Sequence, residues 1–175
     1  MEEKQQWLSM AAVVLVIVGL GVFLYRQSRN TPDEQPQANA EEQIAEQKAQ
    51  EVLDNMRVTL PDNAERATLR DVSEEIEGAG LATRVEEGDQ LMLSTLVSLP
   101  EPEAGVFYEA YLTKSEATEQ DEPMYLGKLI QAKGGWRVEQ EATKEALVGY
   151  DRVMVTREKV DDKQPEETIL EGNFN

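Results

Sequence analysis

GLATRVEEGDQLMLSTLVSLP, residues 80–100, is the stretch whose pattern sets the fold. In its second half Leu91, Leu93, Thr95, Val97 and Leu99 recur every second position, opposite Met92, Ser94, Leu96 and Ser98. Successive side chains of a strand point to opposite faces, so this alternation predicts a strand with one apolar side. Glu87-Gly88-Asp89 stands where a hairpin needs its turn, with a glycine free to take positive φ. Pro100 and Pro102 end the second strand.

The same period continues on both sides. ATLRDVS (67–73) sets Leu69 and Asp71 against Arg70 and Val72, and VFYEAYLT (106–113) sets Phe107, Glu109 and Tyr111 against Tyr108, Ala110 and Leu112. MYLGKLIQ (124–131) reads as one further strand, followed by a turn at Lys133-Gly134-Gly135 and a strand over 136–139. DRVMVTRE (151–158) points Val153 and Val155 inward, and residues 169–174 close the domain. About eight short strands without long helices between them predict a mainly β fold, an antiparallel two-sheet sandwich over residues 67–174. Trp136, Tyr111, Tyr125 and Tyr150 read as core aromatics whose polar ends reach partners at the edge.

Upstream, AEEQIAEQKAQEVLDNM (40–56) changes to helical spacing, with Ala45, Ala49, Val52, Leu53 and Met56 on one face and Ile44 beside them. Asn39 is placed to cap this short amphipathic helix, and Leu60-Pro61-Asp62-Asn63 ends the segment. Its apolar stripe suits a stalk or partner-docking face on one reading, and packing against the β domain on the other. RQSRNTPDEQPQAN (26–39) is polar, has two prolines and reads as a flexible linker.

Trp7 to Tyr25, WLSMAAVVLVIVGLGVFLY, holds no charge and no proline. As a helix it would reach roughly 28 Å, close to the hydrocarbon thickness of about 30 Å. Residues 7–25 are therefore expected to form a single transmembrane helix in the lipid bilayer, behind a short tail of residues 1–6. Ala38-Asn39-Ala40 has the form of a signal-peptidase site but lies far beyond the apolar run, so an uncleaved anchor is expected. Lys4 on one flank against Arg26 and Arg29 on the other leans weakly towards a cytoplasmic body.

Charge bounds the partners. The chain holds 17 Lys+Arg and 35 Asp+Glu, a net −18. Glu2, Glu3, Lys4, Arg26 and Arg29 give the first 29 residues +1, so the rest carries −19. Such a body repels phosphate backbones, which argues against nucleic acid. With neither cysteine nor histidine, thiolate chemistry and the commonest general base and metal ligand are missing. Ser73, Ser94, Ser98 and Ser115 have no histidine to activate them, and no phosphate-binding glycine loop occurs. The acidic runs Glu74-Glu75-Glu77, Glu86-Glu87-Asp89, Glu119-Asp121-Glu122 and Asp161-Asp162-Glu166-Glu167 lack the D-x-D-x-D-G order of a calcium loop. They read as solvated loops, with a weak calcium site as the lesser alternative. No catalytic, cofactor-binding or metal residue is expected, and no cofactor, enzymatic activity or small-molecule ligand.

Three stretches in order, ATLRDVS (67–73), LPEPEAGVFYEAYLT (99–113) and YLGKL…GGW…YDRVMVTRE…ILEGNF (125–174), resemble the C-terminal extracytoplasmic domain of the anti-sigma-K factor (RskA-type) family. The matching residues are Gly105, Tyr108, Glu109, Tyr111 and Leu112, then Leu126, Gly127 and Leu129. Tyr150, Asp151, Val153, Val155, Thr156, Glu158, Leu170, Gly172 and Phe174 follow, and Tyr111 stands where the family usually shows Trp. The resemblance implies a sensory or scaffolding sandwich outside the plasma membrane, anchored by one span and working through a protein partner. It transfers no catalytic residue. Six residues, MEEKQQ, precede Trp7, where such proteins carry a sigma-binding helical domain, so the anchored outer half alone is expected here, without direct sigma binding. The alternative is a structural envelope or cell-surface binding module unrelated to transcription control.

Overall fold

The computed structural model describes residues 35–116 and 121–174. The expected tail (1–6), transmembrane helix (7–25) and first part of the linker (26–34) lie outside them. Among the described residues no helix is long and apolar enough to cross a membrane.

One helix, α1 (Gln35–Met56), leads into nine strands. They are β1 (Glu65–Asp71), β2 (Ala79–Glu87), β3 (Gln90–Ser98), β4 (Phe107–Thr113) and β5 (Met124–Lys128). The remainder are β6 (Ile130–Ala132), β7 (Gly135–Thr143), β8 (Arg152–Glu158) and β9 (Glu167–Asn173). A single 3₁₀ turn, Glu145–Leu147, links β7 to β8.

The mainly β, antiparallel reading holds; the separation into two sheets does not. The strands form one sheet in the order β5-β4-β8-β9-β1-β2-β3-β7-β6. β1 is the reason. Its residues Glu65–Leu69 pair with β2, then Arg70 and Asp71 pair with Glu171 and Leu170 of β9, so one bent strand joins what would otherwise be two sheets. The segment 124–131, expected as one strand, is two. Met124–Lys128 pairs with β4 at one end of the sheet and Ile130–Ala132 pairs with β7 at the other. Only Leu129 separates them, its N–H donating to the Tyr108 carbonyl at 2.8 Å. The chain itself thus ties the two ends of the sheet together and almost closes a barrel, which removes most of the free edge that an open sheet would expose.

The alternation at 90–98 is borne out in detail. Leu91, Leu93 and Val97 enter the barrel core with Leu69, Tyr108, Ala110, Leu112, Val153, Val155, Ile169 and Leu170. Leu96 faces the other way and is still buried, because α1 covers it. Ala49, Val52 and Leu53 of the helix pack on Ala79, Leu81 and Leu96, with Met56, Val58 and Leu60 at the margin. Of the two readings of the apolar stripe, packing against the β domain is the one observed. Ile44 stays outside this contact, 55% exposed.

One helix boundary differs from expectation, the start, while the end at Met56 is as expected. α1 begins at Gln35, so residues 35–39 are helical rather than linker and Asn39 is not the cap. Pro36 does not prevent this, since the N–H that proline lacks has no partner in a first helical turn anyway. At the other end Arg57 takes a left-handed φ of 58°. Its N–H reaches the Asp54 carbonyl (3.2 Å) and the N–H of Val58 reaches that of Leu53 (3.0 Å). This two-bond pattern satisfies the last helical carbonyls and lets Val58 fold back beside Leu53.

One end of the barrel is held by charge. Arg84 of β2 gives both Nε (2.5 Å) and Nη2 (2.6 Å) to Glu65, sends Nη1 to the Tyr150 carbonyl (3.0 Å), and lies 4.3 Å above the Phe174 ring. The guanidinium holds Glu65 below the usual carboxylate range. A forked cation suits this position because its donors match the two carboxylate oxygens while its flat face covers the ring.

Candidate functional site

Two places concentrate polar chemistry. The first is on the outer face of β4, β5 and β8. Glu109 is fully buried there, and so are Tyr111, Thr156 and Glu158. Tyr111 donates its hydroxyl to Glu109 Oε2 (2.5 Å) and Tyr125 donates to Oε1 (3.1 Å). The Thr156 hydroxyl bonds the Glu109 carbonyl at 3.4 Å, and register places Glu109 opposite Thr156 and Phe107 opposite Glu158. The connection from β8 to β9 lies over this face. Glu166 gives its N–H to both oxygens of Glu158 (3.1 Å each), and Lys163 Nζ stands 5.6 Å from the Tyr125 ring. Glu166 in turn accepts the N–H groups of Lys159 and Val160, both at 3.0 Å.

Electrostatics here favour protons. Burial, followed by the hydrogen bond and charge of Glu109, pushes the Tyr111 hydroxyl far above its ordinary value. Tyr125 is pushed up to about 12 for the same reasons. Glu158 is held above the usual carboxylate range, chiefly by burial, with Glu166 and Glu109 adding like charge. Burial seals the carboxyl groups of Glu109 and Glu158 from any substrate. Among the described residues no buried side-chain nitrogen or oxygen lacks a hydrogen bond.

The direction of the Glu158 shift makes a prediction. A carboxyl whose folded value is raised contributes stability below its unfolded value of about 4.3 and loses that contribution as pH rises through the folded value. Glu158→Gln removes this loss. Relative to Glu158→Gln, the parent is expected to lose thermal stability as pH rises from about 4 towards 7. Paired melting curves check this; a difference that is flat in pH, or that widens in the parent's favour, would contradict it.

Five members of the acidic runs have ordinary ion-pair partners. Glu77 pairs with Lys48, Glu86 with Lys144, Asp121 with Lys114, and Glu75 and Glu167 with Arg157. Among the described residues no three acidic side chains gather as a metal site would require. Trp136 and Tyr150 pack partly buried against the core with their polar ends reaching partners, as expected: Trp136 Nε1 donates to the Leu99 carbonyl (3.1 Å) and the Tyr150 hydroxyl to that of Glu122 (3.2 Å). Asp151 receives the Ser115 N–H at 2.7 Å, which lowers its carboxyl below the ordinary range.

The second place is a groove of about 730 Å³ between α1 and the outer face of β1, β8 and β9. Glu42, Glu46 and Gln50 line the helix side; Arg66, Thr68, Arg70 and Arg152 line the sheet side. The sequence held the periodicities of both walls but no sign that the helix would lie across this part of the sheet.

The residues that carried the resemblance divide along the strands. Tyr108, Leu112, Val153 and Val155 enter the core, while Glu109, Tyr111, Thr156 and Glu158 build the buried polar face. The family model of the anti-sigma-K factor RskA C-terminal region matches residues 7–169, almost the whole chain. The chain belongs to this anti-sigma-K factor family. No curated protein and no solved structure matches it. An anti-sigma family is one of regulators that work through protein interaction. In RskA-type terms, the Tyr108–Leu112 motif is a folding element: alternate residues fill the barrel and tie down its outer face.

Proposed function

We propose that the chain is a single-pass, membrane-anchored regulator whose barrel stands outside the cytoplasm and acts through a protein partner in sigma-factor control, without enzymatic activity. The observation that carries this reading is the start of the family match. It begins at residue 7, the first residue of the uncharged apolar run 7–25, so anchor and barrel fall within one family pattern. The strong negative charge keeps a tethered barrel soluble and away from an anionic lipid surface.

The absence of cysteine supplies a clean test, because one introduced thiol is the only one. Glu103→Cys lies on an exposed loop. In intact cells a membrane-impermeant maleimide is expected to label it, with the chain in the membrane fraction. Labelling only after lysis, or recovery in the soluble fraction, would exclude the topology. Deleting the gene is expected to shift one alternative-sigma regulon; unchanged transcription across all of them would exclude the regulatory half.

A further inference from the structure

The groove beneath α1 has carboxylates on its helix wall and, on its sheet wall, three arginines interspersed with Asp71 and Glu171. On the helix, Glu42, Glu46 and Gln50 repeat at four-residue spacing and face the sheet. On β1, Arg66, Thr68 and Arg70 alternate with the buried Ala67 and Leu69, so all three project into the groove. Of the seven arginines after residue 40, three line this one groove.

Internal pairing accounts for only part of this charge. Arg152 is held by Glu171, and Asp71 takes the Ser73 N–H at 3.1 Å. Arg70 meets Glu42 only at 3.8 Å, with both side chains half exposed. Arg66 and Glu46 have no ion pair among the described residues. A guanidinium on one wall and a carboxylate on the other are therefore open to a ligand. Between them Thr68, Gln50 and Asn173 offer hydrogen-bonding groups, above an apolar base of Ala49, Leu53 and Leu81. The volume falls within the roughly 300–1,000 Å³ of small-ligand sites.

Charge selects the ligand class. A net anion is repelled by a body of about −19. A net cation finds acidic surface all over the domain and has no reason to prefer this groove. A neutral molecule with separated charges matches both walls. We propose that the groove binds a short peptide with free termini, its carboxylate on Arg66 and Arg70 and its amino group on Glu46. Planar guanidinium groups grip carboxylates in a bidentate way, and backbone amides of the peptide suit Thr68, Gln50 and Asn173. The sequence alone gave no expectation of a small ligand, since helix and strand form the groove only together. The site is independent of which side of a membrane the barrel occupies, so the topology test and this one fail separately.

The test is calorimetry on the full chain in detergent micelles. The probes are tetraalanine with free termini, its C-terminal amide and its N-acetyl form. Free tetraalanine is expected to bind, and each blocked form at least about tenfold more weakly. Arg66→Gln with Arg70→Gln is expected to weaken the free peptide by a similar factor and leave the melting curve unchanged, both positions being exposed. Glu46→Gln is expected to abolish the discrimination against the N-acetyl form alone. Absence of heat at millimolar tetraalanine, equal binding of the blocked forms, or unaltered binding by the double arginine variant would overturn the assignment.

Discussion

Tyr111→Ala is expected to destabilise the barrel by about 4 kcal/mol, a large share of the stability of an ordinary domain. Tyr111 is fully buried on the outer face of β4, where its ring contacts Tyr125 with centroids 5.5 Å apart. Truncation removes that packing and also takes the 2.5 Å donor from Glu109, leaving a buried oxygen without its partner. Large aromatic truncations cost about 3–5 kcal/mol, and an orphaned acceptor adds about 1–3 kcal/mol before the site relaxes. Tyr111→Phe separates the two effects. It keeps the ring and is expected to cost about 2 kcal/mol, the value of the hydroxyl to a buried acceptor. Adding Glu109→Gln to Tyr111→Phe is expected to recover part of this, because a neutral amide tolerates the loss better than a buried carboxylate. Urea denaturation of the three variants reads all of these values. A Tyr111→Phe variant as stable as the parent would show that Glu109 does not depend on that hydroxyl.

Gly172→Ala is expected to cost about 3 kcal/mol and lower the thermal midpoint by roughly 10 °C. A Cβ at this position would lie 2.3 Å from the Thr68 carbonyl oxygen, 2.9 Å from its carbon and 3.1 Å from Leu69 Cδ2. The first two are backbone atoms of β1 and cannot rotate aside. Relief requires β9 to move away from β1, where two register pairs and the Val72 N–H to Ile169 carbonyl bond (3.0 Å) hold the segments together. That junction converts two sheets into one, so the strain falls where the barrel has least pairing to resist it. Gly88 provides the contrast. No atom lies within 4 Å of a Cβ there, and its φ of 67° in the β2–β3 turn is the sole obstacle. Gly88→Ala is expected to cost about 1 kcal/mol, the ordinary penalty of a left-handed non-glycine residue. Thermal circular dichroism distinguishes the two; equal midpoints would mean that β9 shifts at no cost.

Local patterns were legible wherever one face was uniformly apolar. Leu91, Leu93 and Val97 declared their side, as did Val153 and Val155, because burial against a core repeats every second residue. The helix stripe of Ala49, Val52 and Leu53 was equally visible, although its destination was not. Glu109 and Glu158 were not legible as buried residues. A carboxylate on an outward strand position reads as solvent-facing, and only the approach of Tyr111, Tyr125 and the connection after β8 encloses it. The split at Leu129 was hidden for a related reason. Leu126 and Leu129 both carry apolar side chains into the core, so the run looks unbroken while its pairing changes partners.

By itself the sequence determined the strand and helix periods, the turns at Gly88 and Gly134, the acidity of the domain and the apolar run over 7–25. These are properties of neighbours along the chain, set by backbone geometry and side-chain polarity within a few residues. Tertiary structure decided what those elements meet. It bent β1 between two partners, joined the ends of the sheet through Leu129, laid α1 over Leu81 and Leu96, and enclosed the carboxylates of the outer face. Each of these depends on contacts between residues distant in sequence, whose energy is shared among both partners and is written in neither alone.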